Sequence, residues 1–348
     1  MTHESLLNRQ MEFLSQDPAT LRGMRGGELK DTLDHLDLGY GAFFKAADTN
    51  IEQYCAEEFG IDLRRITVDR FFQSDPNAKW LFPDIVRGAV LTGMRRRPVY
   101  PHLIIRDESI EGTSYDVPHV VETAEEEELR TVAEGAEIPE SEITYGDRVV
   151  RLDKKGRGVI ASYEVIRRMS VDMLKVHLQR MGERLGRSLD ARIADVLVNG
   201  DSSGSATAAP TVDTATAGTW TYSDVVKGFL DLTVDNYFTA THMLANKELT
   251  QTLLGLSEFK DPVLFDFART GNYPTPLGVK LIPMVDQPAN KLTILDAGYA
   301  VEKLTEQDLL VESDKLINQQ WDRSYLTVVT DFAVIYEDAR VVVQSDWS

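Results

Sequence analysis

Residues 170–204 read SVDMLKVHLQRMGERLGRSLDARIADVLVNGDSSG, and this stretch contains the longest regular element predicted for the chain. Apolar side chains recur in it every three or four residues, which predicts one amphipathic helix. Ser170 suits its N-cap, and Gly200 suits a left-handed C-terminal cap. The helix is expected over about 170–199, on the order of 40 Å long. The predicted core of this helix consists of Leu174, Leu178, Met181, Leu185, Leu189, Ile193 and Leu197.

The five residues after the helix, Gly200-Asp201-Ser202-Ser203-Gly204, resemble the loop that carries the nucleophilic serine of chymotrypsin-like proteases. That serine lies in an all-β double barrel, whereas Ser202 follows a long helix, and a G-x-S-x-G elbow is absent. Ser202 is therefore predicted to lie in the loop that ends the helix. Cys55, the single cysteine, is predicted to be a buried structural thiol. We assign no catalytic, cofactor-binding or metal-binding residue and predict that the protein is not an enzyme.

Composition limits the partners. The chain has 348 residues, 43% of them hydrophobic, and a formal net charge of −19. The N-terminus lacks the features of a signal peptide and no apolar run is long enough for a membrane span, so we expect a soluble protein made inside the cell. The acidic balance argues against dedicated nucleic-acid binding, yet it suits a wall that repels phosphate.

Helical and strand patterns alternate along the rest of the chain without a βαβ rhythm, which predicts an α+β fold. A helix is expected at Phe82–Met94, a strand over 112–122 and a linker or surface loop at 202–219. Residues 1–80 form short helical pieces in which we find no core-sized hydrophobic stretch. This segment is therefore predicted to be an extension.

Residues 143–153 and 156–166 are predicted to be two strands joined at Lys154-Lys155-Gly156. A two-stranded hairpin is marginal alone in water, so a neighbouring subunit is expected to support it. Its charge is split in sign, which suits head-to-tail matching between copies. The candidate contact residues are the acidic Glu134, Glu137, Glu140 and Glu142 and the basic Arg148, Arg151, Lys154, Lys155 and Arg157.

The order of these elements resembles the major capsid proteins of tailed phages, the Hong Kong 97 fold. AEGAEIPESEITYGDRVVRLDKKGRGVIASYEVIRRMS looks like the family's extended loop, which returns through a strand and a short helix into a long spine helix. THMLANKELTQTLLGL and PTPLGVKLIPMVDQPANKLTILDAGYAVEKL resemble its axial domain. YLTVVTDFAVIYEDARVVV resembles the closing strands of its peripheral domain.

The resemblance implies a domain organisation. Residues 1–80 are expected to be an N-terminal arm and 132–162 the extended loop, lying across the next subunit. The axial domain is expected at 216–315. The peripheral domain is expected in three parts: 81–131, 163–215 with the spine helix, and the closing strands 316–348.

The resemblance also implies partners. Pentamers and hexamers of the chain are expected to form an icosahedral head around double-stranded DNA, without sequence-specific binding. A separate scaffolding protein and a portal are expected, a decoration protein is an option, and no membrane partner and no cofactor are expected. The protein is expected in the virion after synthesis in the host cytoplasm. Lys154, Lys155 and Asn318 supply the side-chain types of the cross-link found in some relatives, but ordinary charged contacts are favoured.

Three alternatives stay open from the sequence. The first is an encapsulin-like compartment that holds enzyme cargo, which shares the fold. The second is a carboxylate-based hydrolase, and the third is a minor head or decoration protein. The contents and size of any shell would separate the first from a phage head.

Overall fold

The structure is a computed structural model. It describes residues 3–24, 26–36, 38, 40–68, 70–71, 81–117, 119–121, 142–144, 148–202, 208–260, 275, 277–316 and 321–347. The chain divides into two compact units, each built from three segments. The first unit comprises Met1–Arg97, Gly156–Gly186 and Leu309–Val328, and the second comprises Pro98–Lys155, Arg187–Asp308 and Val329–Ser348.

The helices vary widely in length, and one of them contributes residues to both units. In chain order they are α1 (His3–Leu14), α2 (Pro18–Arg22), α3 (Gly26–Leu36), α4 (Tyr40–Ala46), α5 (Ile51–Phe59), α6 (Phe82–Met94), α7 (Tyr163–Arg168), α8 (Val171–Asn199), α9 (Tyr222–Leu230) and α10 (Lys247–Leu254). A π-helical turn, Asp231–Asp235, follows α9. Helices α6 and α8 confirm the bounds predicted for them.

The strands are β1 (Asp107–Ser109), β2 (Ser114–Asp116), β3 (His119–Val121), β4 (Glu142–Thr144), β5 (Val149–Arg151), β6 (Asp153–Ser162), β7 (Thr211–Asp213), β8 (His242–Ala245), β9 (Lys280–Pro283), β10 (Lys291–Leu295), β11 (Val301–Leu316), β12 (Trp321–Val334) and β13 (Arg340–Gln344). They form a four-stranded sheet in the order β1-β11-β12-β6 and a five-stranded sheet in the order β7-β13-β10-β8-β9. Two-stranded pairs join β2 to β5 and β3 to β4. Mixed helices and sheets confirm the α+β class.

The N-terminal helices build a core, which the sequence did not indicate. Phe13, Leu33 and Phe43 are buried together with Phe71 and with Val171 at the start of α8. The expectation that residues 1–80 hold no core was wrong because each short helix contributes only one or two buried apolar side chains. No single stretch looks core-sized, but the helices together bury a continuous cluster.

Glycines bring α6 and α8 into backbone contact in the first unit. A Cβ atom added to Gly182 would overlap the carbonyl oxygen of Val90, and one added to Gly93 would lie 2.6 Å from the carbonyl carbon of Gln179. Around this contact Val86, Ala89 and Leu178 are buried. Only glycine allows two helix backbones to approach this closely. The sequence shows these glycines, but their helical pattern does not reveal the partner helix.

In the second unit, α9 packs on the five-stranded sheet. A capping box fixes the start of the helix, since Thr221 accepts from the Asp224 backbone and Asp224 accepts from the Thr221 backbone. Gly228 lies against Val343 of β13, where a Cβ atom would not fit. In the same sheet β10 pairs antiparallel with β13, from Lys291 opposite Gln344 to Leu295 opposite Arg340.

Two predicted local features are wrong. No turn occurs at Lys154–Gly156, because β6 runs unbroken from Asp153 to Ser162 within the four-stranded sheet, and β5 pairs with β2 instead. The predicted surface loop at 202–219 contains β7, which pairs in parallel with β13. In both places long-range pairing with another strand overrides local turn-forming composition.

Asp84, in the first turn of α6, makes stability depend on pH. Burial raises the pKa of its carboxyl from 3.8 to about 6, against the opposing charge of Arg87. The contribution of this group to stability is therefore present below about pH 4 and is lost as the pH rises through 6. Asparagine cannot ionise, so the free energy of unfolding of Asp84→Asn should not fall in this way. We expect the difference in unfolding free energy between Asp84→Asn and the natural chain to grow by about 1–2 kcal/mol in favour of the variant from about pH 4 to about pH 8, after discounting for partial exposure. Urea unfolding at both pH values measures the change, and a pH-independent difference would contradict it.

Candidate assembly surfaces

The predicted apolar side chains of the spine helix α8 all face the interior, but they are buried to different extents. Leu178, Leu189, Ile193 and Leu197 are buried, and Leu174, Met181 and Leu185 are half-buried. The opposite face of its first turns is different, since Met173 and Val176 are 50% and 53% exposed. The helix therefore holds the chain together along one face and leaves apolar side chains uncovered near its start.

Polar side chains fix the second-unit part of α8. The Asp190 carboxylate accepts hydrogen bonds from the backbone N–H groups of Val99 and Tyr100, at 3.0 and 2.8 Å. Arg192 donates through two nitrogens to the two carboxylate oxygens of Asp331 in β12, at 2.8 and 3.1 Å. This fork is the preferred geometry for an arginine–carboxylate pair. These contacts set the position of the helix against its neighbours by direction as well as by burial.

The helix ends where predicted. Gly200 adopts φ 88°, the left-handed region that glycine reaches without strain, and its N–H donates to the carbonyl of Val196. The Ser202 hydroxyl donates to the backbone carbonyl of Arg151 and accepts from its N–H. These contacts tie Ser202 to the end of β5, which is a structural role.

A buried charge cluster lies beside this helix end. Arg148 is 4% exposed, donates to the carbonyl of Val334 at 2.9 Å, and lies 3.5 Å from the Asp201 carboxylate and 3.8 Å from that of Glu337. Asp201 also accepts from the Val334 N–H. Arg340 is fully buried nearby, and burial lowers its pKa to about 10. The charge of Arg148 is thus used within the chain, although the sequence suggested it for a contact with a neighbouring copy.

The other basic candidates have different environments. Arg151, Lys154 and Arg157 are exposed along β5 and β6. Lys155 is half-buried, and burial lowers the pKa of its amine. Because successive residues of a strand point to opposite faces, Lys155 faces away from Lys154. Arg157 shares the face of Lys155, so the exposed Lys154 and Arg157 lie on opposite faces of β6, the edge strand of its sheet. We call Arg151, Lys154 and Arg157 the exposed basic edge, and their contact with another subunit stays a prediction.

The acidic half of the extended loop is largely outside the described residues. Glu134, Glu137 and Glu140 fall there, as does Asn318 of the suggested cross-link. Glu142 begins β4, whose backbone pairs antiparallel with β3. Its predicted role as a contact residue also stays a prediction.

The second unit presents an aromatic surface that the sequence did not indicate. The rings of Phe238, Tyr299 and Tyr336 lie within 5.8–6.1 Å of one another, centroid to centroid. Tyr237 beside them is 86% exposed and adopts φ 58°, an uncommon conformation for a non-glycine residue. These residues come from separate segments, so no local pattern could have identified the cluster. Large exposed apolar groups of this kind often mark protein contacts.

The cysteine and the acidic and histidine side chains, which could in principle support catalysis or bind a metal ion, have structural environments in the described residues. Cys55 is buried, and burial raises the pKa of its thiol to about 12, which leaves it as the unreactive thiol form at neutral pH. Within the described parts of the chain, no group of histidine, cysteine and acidic side chains is arranged to hold a metal ion. Across the same residues, none of the helices has both the length and the apolar character needed to cross a membrane.

Several solved structures share this fold at low sequence identity. The capsid of a native GTA particle matches with a TM-score of 0.54 and 17% identity over 73% of this chain and 90% of that chain. Mycobacterium phage Che8 matches with 0.53 and 16% over 72% and 93%. A virus-like particle from Pyrococcus furiosus matches with 0.51 and 14% over 76% and 99%. The class defined by this fold is that of the Hong Kong 97-like capsid proteins.

The family follows from the sequence itself. A family model described as phage capsid protein matches residues 145–347, which is more than half of the chain. The chain belongs to the phage capsid protein family. It is therefore a structural protein of the virion, and its function is that of a major capsid protein, the subunit of a shell. A search of curated proteins found no match.

Proposed function

We propose that copies of this chain form the pentamers and hexamers of an icosahedral phage head that encloses double-stranded DNA. The single observation that carries the proposal is the family match over residues 145–347, which includes the spine helix, the whole five-stranded sheet and three strands of the four-stranded sheet. The protein acts through contacts between copies rather than through catalysis. It is made in the host cytoplasm and retained in the virion.

The proposed organisation follows the predicted domains. Residues 216–315 form the axial domain, which meets its copies around the fivefold and sixfold axes, and residues 132–162 lie across the next subunit. The exposed aromatic surface and Val285, which is 90% exposed, supply contacts that a monomer would leave in water. Residues 1–80 form an arm, with a core that anchors it to the start of α8.

Other head components complete the proposal. A separate scaffolding protein directs the curvature of the shell, a portal occupies one vertex, and a decoration protein is optional. The DNA is enclosed without sequence-specific binding, and the net charge of −19 suits a shell lining that repels phosphate.

Negative-stain electron microscopy with size-exclusion chromatography tests the proposed function. We expect closed shells, or pentamers and hexamers that close when a scaffold is added. Shell contents then decide between DNA and enzyme cargo. A monomer that never assembles under any condition would overturn the proposal.

The exposed basic edge gives a mutational test. Reversing Lys154, Lys155 and Arg157 to glutamate is expected to reduce shell assembly more than folding. The partial burial of Lys155 makes Lys154→Glu/Arg157→Glu the cleaner variant. We expect it to lower shell yield at least about tenfold, since reversed charges repel an acidic partner surface, while its unfolding free energy stays within about 1 kcal/mol.

Arg64→Glu/Arg65→Glu is the matched control, because both arginines are exposed and the change in net charge is the same. Shell yield is measured by sedimentation and microscopy. If the Lys154/Arg157 variant assembles as well as the natural chain, the basic edge does not contact a neighbouring copy.

A further inference from the structure

Exposed arginines cluster on the first unit although the chain as a whole is acidic. Three of them, Arg95, Arg96 and Arg97, directly follow the end of α6, and Arg180 and Arg184 lie one turn apart on α8. All five side chains belong to exposed residues. We call this set the arginine surface.

The glycine contact between α6 and α8 brings these arginines together. A Cβ atom on Gly186 would lie 3.1 Å from the carbonyl oxygen of Met94, the last residue of α6. Arg96 donates to the Glu183 carboxylate at 2.6 Å, and Arg180 binds the other oxygen of the same carboxylate. The two groups of arginines therefore share one surface, fixed by backbone packing and by a common acid.

The charge of this surface is largely uncompensated. Glu183 is the carboxylate that joins the set, and its two arginine partners hold its pKa below the usual value. Within the described part of the chain, the side chains of Arg95, Arg97 and Arg184 have neither an ion pair nor a hydrogen bond. Among the described residues, the five guanidinium groups thus have one carboxylate partner, Glu183, which Arg96 and Arg180 bind. The excess of positive charge creates a local positive field on an acidic protein.

The surface lacks what a protein partner usually needs. The energetic centres of protein interfaces are mostly aromatic or aliphatic side chains that enter pockets, with arginine beside them. Here the large apolar side chains of 85–94 and 178–185 are buried or half-buried. The exposed Met173 and Val176 precede Arg180 on α8 by one to two turns and do not lie between the arginines of α8. A surface made of guanidinium groups alone suits a polyanion recognised through its charges, and planar guanidinium forks match phosphate oxygens.

We propose that the arginine surface binds the phosphate backbone of double-stranded DNA. The inference rests on the proposed enclosure of DNA. It adds the surface at which this acidic protein, which otherwise repels phosphate, contacts the DNA. The contact is independent of sequence, because phosphates carry no base information. It also accounts for the use of arginine at every position of the cluster.

The test measures binding of a short double-stranded DNA of random sequence to the full-length, unassembled protein by fluorescence anisotropy over a salt series. Arg95→Gln/Arg97→Gln/Arg184→Gln leaves the Arg96–Glu183–Arg180 contacts intact. Each phosphate contact contributes about −0.9 to the slope of log affinity against log salt, so we expect the slope to fall by about 2–3 and the affinity at low salt to drop at least about tenfold.

Arg64→Gln/Arg65→Gln/Arg70→Gln is the control, with the same change in net charge at other exposed arginines of the first unit. We expect it to change affinity by less than about twofold, since arginines outside the proposed site make no phosphate contact. Equal losses in both variants, or no DNA binding by the natural chain, would overturn the proposal. So would tighter binding of polyglutamate than of DNA, which would indicate an acidic protein partner.

Shell assembly of each variant is followed separately by microscopy. Selective loss of DNA binding in a protein that never forms shells would support the DNA site and reject the proposed function. Loss of assembly with unchanged DNA binding would overturn the DNA site, because the arginines would then contact protein.

Discussion

Gly182→Ala is expected to lower the free energy of unfolding by about 3 kcal/mol or more, or to prevent folding of the first unit. The added methyl group would overlap the carbonyl oxygen of Val90 and lie 2.9 Å from the nitrogen of Met94. Both are backbone atoms of α6, so no side chain can rotate away and the helices must separate. Separation would open the buried cluster around Val86 and Leu178. The higher helix propensity of alanine offsets only about 1 kcal/mol of this loss.

Gly88→Ala is the matched control in the same helix pair. Gly88 lies on the exposed side of α6, and a Cβ atom there would meet nothing within 4 Å. We expect this variant to gain about 0.5–1 kcal/mol, because alanine restricts the unfolded chain and favours helix. Urea unfolding followed by circular dichroism measures both variants. Equal stability of the two would mean that the close backbone contact is not what holds α6 to α8.

Arg148→Met is expected to cost about 3–5 kcal/mol, the range for removing one partner of a buried ion pair. The side chain of Asp201 is completely buried, so its carboxylate would lose the guanidinium 3.5 Å away without gaining water. Val334 would also lose the hydrogen bond that its carbonyl accepts from Arg148. The variant should unfold at lower urea concentration with the same dependence on urea.

Two further variants identify the cause. Arg151→Met, three residues along the chain at an exposed position, should stay within about 0.5 kcal/mol of the natural chain. Arg148→Met/Asp201→Asn should recover part of the loss, because an asparagine oxygen can still accept the Val334 N–H without a buried charge. An Arg148→Met protein as stable as Arg151→Met would show that the buried cluster contributes nothing to folding.

Local sequence patterns were sufficient to predict many of the helices and strands. The bounds of α6 and α8 were predictable because apolar periodicity, a cap signal and the breaks that flank each helix all act within a few residues. The strands of the five-stranded sheet were recognisable apart from β7, which is short and has only one buried side chain. Among the contact candidates, the sequence identified the exposed Arg151, Lys154 and Arg157 together with the buried Arg148. Charge alone does not distinguish a surface arginine from one enclosed by its own chain.

The predicted turn at Lys154–Gly156 failed for a reason that only the sheet supplies. Gly156 lies against the carbonyl of Leu326, and Gly158 lies under the ring of Tyr325 on β12, which covers the bare backbone. Glycine usually indicates a turn, but here the partner strand provides the missing side-chain surface. The basic residues consequently lie along a strand and not at a hairpin tip.

The α+β class, the spine helix with its C-terminal glycine, and the family were predictable from the chain's residues alone, because they depend on local periodicity and on the order of elements. The N-terminal core, the glycine contact of α6 with α8, the burial of Arg148 and the assembly of five arginines on one surface became visible only in the folded chain. Each of these depends on which distant residues come within a few ångströms of one another. Burial and pairing energies gained there exceed local preferences of a few tenths of a kcal/mol, so contact geometry determines the role of each side chain.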